Sequence, residues 1–270
     1  MDFTFFGYDT FDAATNMAID EALISECERS GRHFIRFYNF KKPAIILSIS
    51  DHYDNIKKDK GIDVTRRKSS GKPIYVDENI LAYSIIAKID GVNPHLETLE
   101  SIHQYFGSMT VDAIMSIVDK SCKIEVGEVF SININGMPVA GHGQKLTLGH
   151  SAMYHGVIAV KPWNTAAIRE FLNLKREYEE ELDRLPSVSM FINDKDNKED
   201  IKKELASAML RKFTSGSFMR MGAQERENVL KDADILVKRT YGNSTWIKNS
   251  DVSKLKTDFR FCLLHEKTVE

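Results

Sequence analysis

Residues 66–87 read RRKSSGKPIYVDENILAYSIIA and join a crowded group of cations to two apolar runs. The runs at residues 73–76 and 81–87 are rich in β-branched and aromatic side chains, a composition typical of strands. The polar residues 77–79 separate the two runs, so we expect a strand pair joined by a turn. This stretch therefore predicts sheet structure that is entered from a cationic loop.

The segments on either side of this stretch show strand-like and helical patterns in an irregular order. Apolar spacing predicts helices at residues 16–24, 97–118, 199–213 and 224–241. Strands are predicted at residues 34–38, 44–49, 63–67, 131–134 and 152–160, with turns at residues 41–43 and 135–136. Strands and helices without regular βαβ alternation indicate an α+β fold, a mixed sheet flanked by helices.

We expect one domain over residues 1–250 and a C-terminal tail over residues 251–270. Its central sheet should contain the strands around Ile45, Ile74, Ile85, Ile132 and Ile158. The helix at residues 16–24, capped by Thr15 or Asn16, should pack on that sheet through its apolar stripe. A boundary near residue 190 would leave a C-terminal part too small for an independent core.

Composition narrows the class of protein. The 270 residues are 42% hydrophobic and 28% charged, as in ordinary soluble domains, and 37 Lys and Arg against 39 Asp and Glu argue against a nucleic-acid partner. No apolar run is long enough to span a membrane. Cys27, Cys122 and Cys262 are too few and too scattered for a disulfide framework. With no basic start typical of a secretory signal, the sequence predicts a cytoplasmic protein.

The first candidate site is the cationic loop itself. Arg66, Arg67 and Lys72 flank Ser70 and Gly71, so guanidinium and ammonium donors stand beside backbone N–H groups that a ligand can approach closely. Such a loop suits a phosphate or a carboxylate, although its spacing is not that of a Walker A loop. A solvated basic turn is the alternative interpretation.

The second candidate is the glycine-rich region at residues 135–156, which predicts a loop that wraps a ligand between two strands. It contains His142, His150 and His155, but no carboxylate or cysteine stands nearby at a metal-ligand spacing, so we expect no metal. The alternatives are surface-loop positions for His142 and His150, and a hydrogen-bonded core position for His155.

Taken together, these segments resemble the lipoate–protein ligase A and lipoyl/octanoyl transferase family, relatives of the biotin–protein ligases. Residues 16–23 resemble the family's first helix, and residues 66–77 match Arg-Arg-x-[Ser/Thr]-Gly-Gly-Gly-Ala-Val-x-His-Asp in length. Residues 81–84 stand where the family has Leu-Asn-Tyr/Phe-Ser. Residues 135–144 and 155–156 are similar to Asn/Asp-Gly-x-Lys-Ile-x-Gly-Ser-Ala-x and the later His-Gly. Residues 241–246 resemble the closing Tyr-x-x-x-x-Trp.

The resemblance implies a substrate and partners. Ligases of the family bind lipoate and ATP, form lipoyl-adenylate and pass the acyl group to a lysine of a lipoyl domain, whereas transferases move octanoate between carrier proteins, some through a cysteine. We therefore expect lipoate or octanoate as substrate, ATP and Mg in the ligase case, and no tightly bound cofactor. The expected acceptor is the lipoyl domain of a 2-oxoacid dehydrogenase complex or the glycine cleavage H protein. An accessory ligase domain acting in trans is a further expected partner.

The resemblance also implies a set of site residues. The substrate- and nucleotide-binding positions are Arg66, Arg67, Ser70, Gly71, Tyr75, Asp77, Gly141, His142, Gln144 and His155. The chain departs from the family pattern at Pro138, which stands where the family has its lysine, and at Val76 and Ala82, which replace the His and Asn.

These departures leave two main hypotheses and a weaker one. In the first, Lys72 or Lys145 supplies the missing catalytic cation, because negative charge that develops on an acyl or phosphoryl oxygen needs a fixed positive partner. In the second, the chain is an inactive paralogue that binds an acyl ligand, a lipoyl domain or an active ligase. The third is attachment of a related acyl group or cofactor.

Overall fold

The computed structural model describes residues 1–89, 93–128, 130–147, 151–174, 179, 182–192 and 200–249. Cys262, His150 and the predicted tail at residues 251–270 lie outside these ranges. The strands are β1 (Phe3–Phe11), β2 (His33–Phe40), β3 (Ala44–Leu47), β4 (Asp63–Arg66), β5 (Ile74–Val76), β6 (Ile80–Lys88), β7 (Ile124–Val126), β8 (Ser131–Ile134), β9 (Met137–Thr147), β10 (Ser151–Ala159) and β11 (Phe218–Arg220). The α-helices are α1 (Ala13–Ser30), α2 (Leu99–Met115), α3 (Thr165–Phe171), α4 (Ile201–Thr214), α5 (Ala223–Leu236) and α6 (Ser244–Lys248).

A large mixed sheet carries the fold. Within the described ranges it has eight strands in the order β11-β1-β2-β6-β10-β9-β8-β7. The β1 strand pairs in parallel with β2 and β11, and the other pairs are antiparallel. The parallel pair β1–β2 is connected through α1, as a parallel connection requires. The predicted mixed sheet flanked by helices is confirmed.

A second, smaller sheet corrects part of the prediction. Strands β4, β3 and β5 form it, so Ile45 and Ile74 lie outside the large sheet, whereas Ile85, Ile132 and Ile158 lie in it. The expected pairing of residues 73–76 with 81–87 is therefore wrong. Each strand has only two edges, and those of β6 are occupied by β2 and β10, so β5 pairs with β3 instead.

Helices cover both faces of the large sheet. On one face α1 and α5 share a core with β2, through side chains such as Leu23, Phe34 and Val229. On the other face α2 and α4 pack together, through side chains such as Phe106 and Met209. The described residues after 200 thus complete the cores built by the earlier ones. No helix in the described part of the chain is long and apolar enough to cross a membrane.

Helix α1 begins earlier than the sequence predicted. The N-cap is Asp12, not Thr15 or Asn16, because its carboxylate accepts hydrogen bonds from both the backbone N–H and the hydroxyl of Thr15. Asn16 lies inside the helix, where its amide donates to the carbonyls of Phe11 and Asn39. The helix ends at Gly31, whose φ of 74° is the left-handed conformation that favours glycine.

Residues 137–147 of the glycine-rich region form strand β9, which corrects the prediction of a ligand-wrapping loop within residues 135–156. Strand β9 pairs residue by residue with β10, from Ala140 opposite Ile158 to Thr147 opposite Ser151. Continuous pairing satisfies the backbone polar groups of this segment, so it needs no ligand to hold it in place.

A buried ion pair fixes α1 to the sheet. The Arg36 guanidinium on β2 is fully buried and donates to Asp20 Oδ1 at 3.0 Å, to the Asn16 carbonyl at 3.0 Å and to Asn16 Oδ1 at 2.5 Å. It also stacks over the Tyr38 ring, 4.1 Å from the ring centroid. Because both charges are out of water, each depends on the other for its compensation.

Replacing Arg36 with methionine should therefore destabilise the fold by about 3–5 kcal/mol, because it leaves the Asp20 carboxylate buried without its cation. Urea unfolding measures this change. The matched control is Arg29→Met, which removes a pair with Glu26 from a side chain that is 72% exposed and should leave stability nearly unchanged. Equal losses in the two variants would contradict the assignment.

Candidate functional site

A narrow cleft lies between α1, the cationic loop and strands β9 and β10. One wall is apolar and is formed by Met17, Ile24 and Met153. The rest of the lining is polar: Asp20, Glu21, Arg67, Lys68, Lys145, His155 and Tyr241. Its interior free volume is about 10 Å³, which is room for about one water molecule.

The cationic loop is folded around Arg67. The guanidinium donates to Ser69 Oγ at 3.0 Å and to the carbonyls of Ile46, Ser70 and Lys72 at 3.2, 3.0 and 2.9 Å. Burial lowers the pKa of Arg67 to about 10. Gly71 is required here, because its φ is +117° and a Cβ atom would lie 2.6 Å from an Arg67 nitrogen. The loop is therefore an ordered structure and not a solvated turn.

Arg66 points away from the cleft. Its guanidinium donates to the carbonyls of Ile247, Ser48 and Asp51, and burial lowers its pKa. The Trp246 indole N–H in turn donates to the Arg66 carbonyl at 3.0 Å. Arg66 thus fastens α6 to the cationic loop, a structural role.

Two other predicted residues also lie outside the cleft lining. Tyr75 on β5 packs with Ile45 and Leu47, and burial raises its pKa to about 12. Asp77 accepts a hydrogen bond from the Asn79 N–H at 2.9 Å, and burial raises its pKa. Both residues shape the turn between the two sheets.

The cleft contains a chain of hydrogen bonds between three buried residues. Ser69 Oγ lies 2.6 Å from His155 Nε2, and His155 Nδ1 lies 3.1 Å from Asp20 Oδ2. The three side chains come from the cationic loop, β10 and α1. This confirms the interpretation of His155 as a hydrogen-bonded core histidine, and it places a base between a hydroxyl and a carboxylate.

The cleft lysines differ in their surroundings. Lys145 on β9 lines the cleft beside Met153. Lys68 pairs with Glu21 at 2.5 Å, and Glu21 also accepts a hydrogen bond from the Tyr241 hydroxyl at 2.6 Å. The Lys72 side chain is exposed and lies outside the cleft lining, and its carbonyl accepts a hydrogen bond from Arg67 at 2.9 Å.

His142 and Gln144 lie on the opposite face of the large sheet. Side chains alternate along a strand, so the neighbours of Lys145 and Gly143 on β9 point towards α2. His142 stacks on Tyr154, with ring centroids 4.6 Å apart, and lies 2.7 Å from the Tyr83 hydroxyl. His142 is thus buried, not a surface-loop residue. Gln144 is also buried, and its side-chain amide has no hydrogen-bond partner among the residues that the structure describes.

The two candidate regions therefore meet, though only some of the predicted residues line the cleft. Arg67, Lys145 and His155 line it together. Ser70, Gly71 and Lys72 contribute backbone around Arg67. Gly141 is exposed on β9 and pairs with Ser131 and Val157. The cationic loop packs directly against strand β9, because a Cβ atom at Gly143 would lie 2.8 Å from Ser69 Oγ.

Sequence reasoning missed Asp20 and Glu21, which line the cleft, and Ser69, which is buried behind its lining. A signal was present for the first two: Met17, Asp20, Glu21 and Ile24 share one stripe of α1, and two carboxylates on an apolar stripe need buried partners. Ser69 stood in the quoted loop without a recognised role. Among the described residues, no three His, Cys, Asp or Glu side chains are grouped as a metal site.

Cysteine chemistry finds no support in the described part of the chain. Cys27 is buried in α1, and burial raises its pKa to about 12, so its thiol is held protonated. Cys122 lies in the turn before β7, and neither thiol lines the cleft.

Gly156→Ala should destabilise the protein by about 1–3 kcal/mol through overpacking. A Cβ at Gly156 would overlap the His142 ring and lie 2.7 Å from the Gly141 carbonyl oxygen. Chemical unfolding measures the loss. Gly141→Ala is the matched control on the neighbouring strand, because a Cβ there meets nothing within 4 Å. A Gly156→Ala protein as stable as the control would contradict the packing.

Stability should depend on pH through His142. Burial, followed by the neighbouring His103, lowers the pKa of His142 to about 3. The unfolded chain binds a proton at this residue below about pH 6.5 and the folded chain does not, so the free energy of unfolding falls as pH is lowered. His142→Gln should flatten this fall between about pH 7 and pH 5.5 in urea titrations. An unchanged slope would contradict the assignment.

The chain is similar to known acyl-transferring proteins. The family model of the lipoyl protein ligase A/B catalytic domain matches residues 12–210. The octanoyltransferase LipM of Carboxydothermus hydrogenoformans is 23% identical over 272 residues, which cover 90% of the chain and 97% of LipM. The lipoate-protein ligase LplJ of Bacillus subtilis is 24% identical over 209 residues, which cover 72% of the chain and 58% of LplJ.

Solved structures share the fold. A lipoate-protein ligase A bound with ATP matches with a TM-score of 0.73 at 16% identity, over 92% of the chain and 99% of that protein. A bi-partite lipoate protein ligase from Thermoplasma acidophilum, studied with its E2 lipoyl domain, matches with a TM-score of 0.73 at 15% identity, over 92% and 96%. LipL1 of P. falciparum in complex with lipoate matches with a TM-score of 0.69 at 11% identity, over 92% and 74%.

Proposed function

The chain belongs to the lipoyl protein ligase A/B catalytic domain family, and from this premise we propose that it transfers a lipoyl or octanoyl group to a lysine of a lipoyl domain. The observation that carries the proposal is the two-sided cleft, which sets an apolar wall against cations. An acyl chain with a carbonyl or carboxylate head has the same two-sided character. We assign residues 1–250 to this activity as one catalytic domain, followed by a tail.

The apolar wall suits a medium-length acyl chain. Met17 and Met153 are unbranched and flexible, so they can make room for a chain by changing rotamer while the backbone stays in place. Such adjustment is needed, because the free volume of the cleft is only about 10 Å³.

The polar side of the cleft suits the reacting carbonyl. Arg67 and Lys145 place two cations beside the apolar wall, where positive charge can stabilise an oxyanion that forms on the acyl carbonyl. We propose Lys145 as the catalytic cation. Lys72, the other candidate, has an exposed side chain.

Lys145 does not restore the position that Pro138 vacates. Because β9 is a continuous strand, the seven residues between them span about 23 Å. Pro138 is exposed near the turn at Asn135 and Gly136. Lys145 therefore acts at a place of its own beside α1, and the proposal is a rearranged site.

The relatives support two donors and a protein acceptor. An octanoyltransferase resembles the chain, which supports octanoyl as the transferred group, and we propose that this group arrives as a thioester of a carrier protein. Ligases that bind ATP or lipoate share its fold, which supports lipoate activated by Mg-ATP. We propose that a lipoyl domain of a 2-oxoacid dehydrogenase complex or the glycine cleavage H protein is the acceptor, in the cytoplasm. The bi-partite archaeal ligase supports an accessory ligase domain acting in trans.

A second candidate function is that of an inactive paralogue that binds lipoyl domains or an active ligase. Two points favour it. By the resemblance of residues 135–144 to the family pattern, Pro138 is expected where the family has its lysine, and the cleft has room for only about one water molecule. A protein of this kind would bind the lipoyl domain without modifying it.

The proposal is tested by incubating the protein with a lipoyl domain and either an octanoyl thioester of a carrier protein or lipoate with Mg-ATP. The intact mass of the lipoyl domain should increase by one octanoyl or lipoyl group. The ATP arm is repeated with the separate accessory domain of an archaeal bi-partite ligase. Binding of the lipoyl domain with no mass increase in any arm would select the inactive paralogue.

Lys145→Ala should lower the rate of acyl transfer by about 10²–10³-fold, the usual cost of one oxyanion-stabilising donor. Lys145→Arg should keep part of the activity. The matched control is Lys123→Ala, which removes a lysine that is 75% exposed and pairs with Glu125. Equal activity of the two alanine variants, both with wild-type melting temperatures, would contradict the role of Lys145.

A further inference from the structure

We propose that Ser69 is an acyl-accepting nucleophile, with His155 as its general base and Asp20 as the residue that orients the base. The inference deepens the proposed function, because it assigns the acyl group a covalent intermediate on this chain. It rests on the hydrogen-bonded chain from Ser69 Oγ to His155 Nε2 at 2.6 Å and from His155 Nδ1 to Asp20 Oδ2 at 3.1 Å.

The carboxylate sets the direction of proton transfer. Asp20 Oδ2 accepts a hydrogen bond, so the Nδ1 atom of His155 carries the proton and its Nε2 atom is left as the acceptor. Nε2 then accepts the hydroxyl proton of Ser69. The Arg36 guanidinium holds the other oxygen of Asp20 at 3.0 Å, which prevents the carboxylate from turning away. A nucleophile, a base and an orienting group within hydrogen-bond reach form the general arrangement for acyl transfer.

Arg67 prepares the hydroxyl for reaction. Its Nε–H donates to Ser69 Oγ at 3.0 Å, so the oxygen accepts from a cation while it donates to His155. A cation at this position stabilises the negative charge that appears on Oγ as the proton leaves. The hydrogen bonds to Arg67 and His155 therefore single out Ser69 as the nucleophile.

Access to Ser69 passes through the cleft. Its two partners, Arg67 and His155, both line the cleft, while Ser69 itself is 1% exposed directly behind them. On the sheet side, Gly143 leaves the space that the pair needs, since a Cβ there would lie 2.8 Å from Ser69 Oγ and 3.0 Å from His155 Nε2. The acyl carbonyl must therefore enter between flexible side chains such as Met153 and Lys145, and it arrives beside Arg67.

The reaction balances in two steps. In the first, Ser69 Oγ bonds to the carbonyl carbon of an acyl thioester or acyl-adenylate, and its proton moves to His155 Nε2. The bond from carbon to the thiol sulfur or the phosphate oxygen breaks; a thiolate takes the proton from His155, whereas AMP leaves as an anion and the proton goes to solvent. In the second, the neutral amine of the acceptor lysine bonds to the same carbon, the Oγ–carbon bond breaks, and the amine proton passes through His155 to Oγ.

The test uses p-nitrophenyl octanoate as an activated acyl donor and needs no lipoyl domain. The full chain should release a burst of p-nitrophenol equal to one per chain. Mass spectrometry of peptides from the acid-quenched protein should locate one octanoyl group on Ser69. Ser69→Ala should show neither signal, whereas Ser69→Cys should form an octanoyl thioester at the same position. Ser187→Ala, at an equally buried serine outside the cleft lining, is the control and should behave as wild type.

Two further variants separate catalysis from structure. His155→Gln should slow the burst by about 10²-fold or more, the usual contribution of a general base. Asp20→Asn should slow the burst and keep its amplitude, because Ser69 remains available. Melting temperatures identify any variant that fails to fold, and Ser69→Cys then decides the role of position 69.

Several results would overturn the inference. These are a wild-type protein with no octanoyl group, an octanoyl group on another residue, or a Ser69→Ala variant labelled as fast as wild type. Octanoyl transfer to a lipoyl domain by the Ser69→Ala variant would refute the serine intermediate and leave the proposed function intact. An octanoyl group on Ser69 without transfer to any lipoyl domain would support the inference and count against the proposed acceptor.

Discussion

The Asp20 carboxylate connects the stability of this protein to its chemistry. One oxygen compensates Arg36, which is fully buried on β2, and the other accepts a hydrogen bond from His155 on β10. A buried guanidinium without a carboxylate would cost several kcal/mol, so α1 must dock on the sheet at this height and in this rotation. The same docking places His155 against Ser69. The geometry of the cleft therefore follows from a charge requirement of the core.

Strand β9 divides two polar environments that differ in purpose. On its α1 side, Gly143 leaves room for the Ser69–His155 pair, and Lys145 reaches the cleft. On its α2 side, His142 is sealed against Tyr154 and Gly156, where burial holds it neutral. A neutral, enclosed histidine supports packing, whereas a histidine held between a carboxylate and a hydroxyl can move a proton. Because side chains alternate along β9, the packed His142 and the cleft residue Lys145 lie on opposite faces of the sheet.

The sequence predicted the fold class and most of the helices and strands. Periodicity carries that information, because it reports which side chains face a core. It does not report which strands are neighbours, so β3 and β5 were placed in the wrong sheet. Glycine spacing predicted a loop where β9 is a strand. Gly143 on that strand is explained by close packing, because a Cβ atom there would lie 2.8 Å from Ser69 Oγ. Asp20 was missed because its partners lie 16 and 135 residues away.

The charges around the cleft bear on the kind of acyl donor that it can accept. Lys68 is paired with Glu21, and the Arg67 donors are engaged by Ser69 and by loop carbonyls. A triphosphate would have to draw these cations from their present partners, at a cost in buried hydrogen bonds. A thioester is neutral and needs only a nucleophile, a base and one stabilising cation for its transition state. Under the proposed function, the described geometry therefore suits a thioester donor better than a triphosphate.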